Sequence, residues 1–79
     1  MSNQDLLRNA FITVLGLPAE QVDDRLTYGS VAQWDSVAHM SLITELEEVF
    51  GVMLETEDII GMSSMVEARR ILGKHGIAF

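Results

Sequence analysis

The chain has 79 residues, of which 48% are apolar and 22% charged, a composition that suits one small globular domain, residues 1–79, rather than a disordered segment. It has no cysteine, which excludes disulfides, thiolate catalysis and thiolate metal sites, and its net charge of -7 disfavours nucleic-acid backbones as partners. No apolar run is long enough to span a bilayer and no signal peptide is visible, so a cytoplasmic location is the expectation.

Ser2-Asn3-Gln4-Asp5 offers a helix start in which Ser2 and Asp5 have capping-box spacing. Leu6, Leu7, Ala10, Phe11 and Val14 then recur at helical spacing, with Arg8, Asn9 and Ile12 off the stripe. Gly16 and Pro18 end this helix. Residues 17–34 show no sustained period. Val22, Leu26, Tyr28, Val31 and Trp34 nevertheless recur along them, which predicts an ordered crossover pinned across the bundle. It should contain one helical turn near Glu20 to Asp24 and a bend at Gly29-Ser30.

The second helix is predicted over Ser36–Phe50, with Gly51 as its stop and with Asp35 and Ser36 both suited to cap it. His39, Leu42, Ile43, Leu46, Val49 and Phe50 share its inner face, and Ala38 lies at the edge. Val37, Met40, Ser41, Thr44, Glu47 and Glu48 share the outer one. Val52-Met53-Leu54 is a tether. Thr56 reads as the cap of a short helix through Ile60, stopped by Gly61, with acids in the first turn that complement the helix dipole. Ser64 and Glu67 have capping-box spacing for a last helix from Met65 to Gly73. Met65, Ala68, Ile71 and Leu72 face inward there, and Glu67 and Arg70 can pair. Lys74 and His75 suit its C-terminus; residues 77–79 can pack or fray.

These elements predict an all-α fold, a small four-helix bundle of three main helices and one short one, with a long ordered first loop. Each apolar stripe has a mate within the chain, so a monomer is expected.

Asp35, Ser36 and His39 raise the question of a hydrolase. Ser36 and His39 stand about 60° apart around the helix, but His39 is on the inner face, Asp35 precedes the helix, and no loop of oxyanion donors is visible. His39 reads as a hydrogen-bonded histidine at the edge of the core. The acids from Glu45 to Asp58 lack the ligand order of a calcium loop, and His39 and His75 lack zinc spacing, so no metal site is expected. On the residues alone, Asp-Ser before an amphipathic helix is a cap.

Asp35-Ser36-Val37 resembles the Asp-Ser-Leu signature of acyl carrier proteins. The resemblance extends to the length, the acidic balance, the long loop before the serine, Leu42, Glu45 to Glu48, Phe50 and Gly51, the acidic turn Thr56–Asp58 and the last helix from Ser64. It implies a four-helix carrier bundle that is not an enzyme. It also implies that Ser36 receives 4'-phosphopantetheine from coenzyme A through a phosphopantetheinyl transferase. The thiol of that arm would hold an acyl group as a thioester. Asp35, Val37, Met40, Glu47 and Glu48 would meet basic, partly apolar patches on the enzymes that load and process the cargo. Gln33, Trp34 and Val37 depart from the usual Gly, Leu and Leu of the signature, and Ala38 and Ser41 replace frequent acids. These departures point to a specialised lipid, polyketide or secondary pathway. The alternatives are an aminoacyl or peptidyl carrier, or a small acidic adaptor with no prosthetic group. A long cargo could enter between helices lined by Leu42, Leu46 and Met65; a short or polar one would stay outside.

Overall fold

The computed structural model describes all of residues 1–79 and contains four α-helices: α1 (Asn3–Leu15), α2 (Ser36–Phe50), α3 (Thr56–Gly61) and α4 (Met65–Lys74). The all-α bundle expected from the periodicity is therefore present.

Local chemistry sets the helix ends. The Ser2 hydroxyl accepts from the Asp5 N–H, and Gly16 closes α1 in the left-handed conformation at φ 66°. Gly51 does the same for α2 at φ 65°. The start of α3 differs from the sequence reading. Glu55, not Thr56, occupies the cap, and the Asp58 carboxylate accepts from its N–H at 3.3 Å. The Ser64 hydroxyl accepts from Glu67 N–H at the start of α4, and Glu67 pairs with Arg70 at 2.6 Å as the spacing predicts.

One core joins all four helices and the crossover. Leu7, Ala10, Phe11 and Leu15 of α1 meet Leu42, Ile43 and Leu46 of α2, with Met65, Ala68, Ile71 and Leu72 supplied by α4. Leu15 is buried where the stripe placed Val14, which is only half-buried. Val49 is exposed rather than inside.

The long crossover is ordered, as its apolar content requires. Its helical turn is a 3-10 turn at Ala19–Gln21, earlier and shorter than expected. Val22, Leu26 and Trp34 are buried. Arg8, off the apolar stripe of α1, donates to the carbonyls of Val22 (3.0 Å) and Ala19 (2.6 Å) and so ties the 3-10 turn of the crossover to α1. Further on, Tyr28 N–H donates to the Ser63 carbonyl at 2.8 Å, and Thr27 forms an isolated antiparallel bridge with Ser64. The crossover is thereby fixed to the start of α4. The tail also packs. Asn3 donates to the Ala78 carbonyl at 2.9 Å, and Phe79 meets Phe50 edge-on at 6.0 Å.

No helix is long and apolar enough to cross a membrane.

Candidate functional site

The site is the mouth of α2. Asp35 takes the cap, its carboxylate accepting from the Ala38 N–H at 2.9 Å and its carbonyl from His39 N–H at 2.8 Å. Ser36 therefore stands one position inside the helix, exposed, and its hydroxyl makes no hydrogen bond within the chain. Of the two cap candidates in the sequence, the aspartate caps and the serine is left over.

His39 lies one turn on. Its Nδ1 is 2.9 Å from the indole nitrogen of Trp34 and its Nε2 is 2.8 Å from the Ile59 carbonyl. An indole N–H can only donate and a carbonyl can only accept. His39 therefore accepts at Nδ1 and donates at Nε2. Both ring nitrogens are committed to structure, and the Asp35 carboxylate is committed to the cap, so no Ser–His–Asp relay is assembled. The indole and imidazole planes are inclined by 25° with ring centroids 6.0 Å apart, side by side across their hydrogen bond, and Trp34 meets Phe11 edge-on at 5.3 Å. Tyr28 packs its ring edge-on against both Trp34 and His39.

A cleft of about 320 Å³ opens beside Ser36 between α2 and α3. His39 and Met40 line it from α2, Ile59, Ile60 and Met62 from α3 and its end, and Tyr28 and Ser63 from the flanking loops. A larger depression of about 410 Å³ elsewhere is lined largely by Gln4, Arg8, Asp23, Asp24 and Arg25 and does not include Ser36. Its charges are partly consumed locally, since Arg25 pairs with Asp23 at 2.9 Å.

The outer face of α2 carries the residues assigned to it. Val37 is 75% exposed and Met40 52%. Glu48 is exposed. Glu47 is half-buried, and its carboxylate accepts from the Leu54 N–H at 2.9 Å, which holds the tether against α2. Sequence periodicity missed Ile60, 77% exposed on α3 and on the rim of the same cleft. A six-residue helix is too short to show which of Ile59 and Ile60 faces out. Leu42, Leu46 and Met65, named as the lining of an internal cargo site, are fully buried and none of them lines this cleft.

The other charged centre is Asp58, the one charged residue in the buried set. His75 donates to it at 2.9 Å and Lys74 at 3.2 Å. The His75 hydrogen bond, the Glu55 N–H and Lys74 together hold its carboxyl down at about 2, against the opposing push of burial. This cluster locks α3 to the end of α4. No group of three or more potential ligands is placed to hold a metal ion.

A family model described as phosphopantetheine attachment site matches residues 5–68. No curated protein and no solved structure gives a significant match.

Proposed function

The chain belongs to the phosphopantetheine attachment-site family, and on that premise we propose that Ser36 is the residue of attachment and that the cargo is an acyl group. The cofactor of the family is covalent 4'-phosphopantetheine, whose thiol supplies the thioester that holds a carried group.

The observation that carries the assignment is the division of labour between Asp35 and Ser36. A serine that caps a helix has its oxygen occupied by a backbone N–H. Here Asp35 performs that task, and the Ser36 oxygen is exposed and unbonded at the positive end of a fifteen-residue helix. The helix dipole and the N–H groups of the first turn favour a phosphodiester there. The Asp35 charge opposes it, although its carboxylate is engaged by the Ala38 N–H. The cleft beside Ser36 gives the start of the arm an apolar wall.

The protein presents its cargo to other enzymes and does no chemistry of its own. Val37, Met40 and Ile60 form an apolar patch around the arm, and Asp35 and Glu48 add negative charge for basic partners. Glu47 belongs to this set as well, through the side of its carboxylate not turned to Leu54. The partners are a phosphopantetheinyl transferase and the enzymes that load and process the acyl group, in a specialised lipid, polyketide or secondary pathway.

Intact mass after incubation with coenzyme A and a broad-specificity transferase tests the reading. The wild-type chain should gain the mass of one arm and Ser36→Ala none. An arm on the Ser36→Ala protein, or none on the wild type, overturns it.

A further inference from the structure

We propose that the Trp34–His39–Ile59 bridge bars the gap between α2 and α3, so that the protein is fitted to acyl groups short enough to remain in the surface cleft. The inference rests on Ser36 as the point of attachment.

The arm starts at Ser36, on the rim of the cleft between α2 and α3, and an acyl group on its far thiol that folds back onto the protein meets this cleft first. Behind it the interior is filled: Leu42 and Leu46 have no exposure, and neither contributes to the cleft. A longer chain could reach them only by moving α3 away from α2, because close-packed side chains leave no unfilled route. His39 stands across that route. Its Nε2–H is the hydrogen bond that joins α2 to α3, at the Ile59 carbonyl. The imidazole cannot swing aside freely, because Nδ1 is held by an indole that is 1% exposed and wedged edge-on against Phe11. Parting the helices would strand the His39 N–H and the Ile59 carbonyl; turning the ring would strand the indole N–H in the core. Each orphan opposes insertion of further methylenes. His39→Leu removes both bonds and keeps the site apolar.

The experiment loads the arm with butanoyl, octanoyl or dodecanoyl thioesters from the corresponding acyl-coenzyme A compounds. Wild type, His39→Leu and Trp34→Phe are compared by methyl and amide NMR. In the wild type, shift changes should stay with Tyr28, Met40 and Ile60 for all three cargoes. In His39→Leu, changes at Leu42 and Leu46 should grow several-fold from butanoyl to dodecanoyl. Loss of stability alone would not produce such a dependence on chain length. Trp34→Phe removes the indole N–H that positions His39 and should act in the same direction, which keeps the test open if His39→Leu does not fold. Chain-length-dependent shifts at Leu42 and Leu46 in the wild type, or identical profiles in wild type and variants, would overturn the proposal. Failure of the attachment reading is separately visible as absence of any arm by mass. Without the arm there is no acyl group for the bridge to exclude, and the proposal falls with that reading.

Discussion

The indole N–H of Trp34 points at Nδ1 of His39 from 2.9 Å, with the two ring planes inclined by only 25°. This contact joins the end of the crossover to the second turn of α2 and satisfies the one polar atom of a side chain that is otherwise core. Trp34→Phe keeps most of the apolar contact and leaves Nδ1 of His39 without its donor. The expected cost is about 2 kcal/mol of folding stability, read as a lower urea midpoint. A loss too small to resolve would show that the hydrogen bond contributes nothing net.

Ser36 and Asp35 should separate cleanly. Ser36→Ala removes an unbonded, exposed hydroxyl and should change stability by less than about 0.5 kcal/mol while abolishing modification. Asp35→Ala removes the cap to Ala38 and should cost about 1 kcal/mol, and it should slow modification without abolishing it, because the Ser36 hydroxyl is still there. Thermal unfolding and intact mass on the same samples check both.

Asp58 gives the fold a defined acid response. Its folded carboxyl titrates at about 2, below the 3.8 of the free group. A depressed value means that the stabilisation is fully present above the unfolded value and disappears as pH falls through the folded one. The difference in urea midpoint between wild type and Asp58→Asn should therefore be constant at neutral pH and shrink between about pH 4 and pH 2. A difference that persists unchanged below pH 2 would contradict the role of the ionised carboxylate.

Gly51 ends α2 at φ 65°, and a methyl group added there would meet nothing within 4 Å. Gly51→Ala should thus cost about 1 kcal/mol through backbone conformation alone, with no rearrangement of neighbours. Unfolding curves together with unchanged core NMR shifts would verify this.

Docking should depend on the exposed apolar residues at the arm. Val37→Asp places a charge on a 75% exposed position, so folding is unaffected while KM for the transferase rises roughly tenfold, or about 1.4 kcal/mol. An unchanged KM would remove Val37 from the interface.

Much of this bundle could be read from the residue order, because a helix end and an apolar stripe are local properties. Ser2, Gly16, Gly51 and Ser64 mark their ends through contacts within three or four residues. Where the local signal was degenerate the order of residues did not decide: Asp35 and Ser36 are both good caps and stayed open, and the cap of α3 falls on Glu55 rather than Thr56. Only backbone geometry ranks such neighbours.

The sequence by itself determined an all-helical chain, the extent of α2 and the placing of Ser36 at its mouth, since periodicity and capping act over one or two turns. Tertiary structure alone decided that Ser36 has no partner and that His39 spends both nitrogens on Trp34 and Ile59. It alone decided that Asp58 is a buried clamp rather than a surface acid, and that the cleft lies between α2 and α3 rather than among Leu42, Leu46 and Met65. The His39–Ile59 and Asp58–Lys74 contacts join groups 20 and 16 residues apart, and no rule of spacing along the chain encodes which distant donor will find which acceptor.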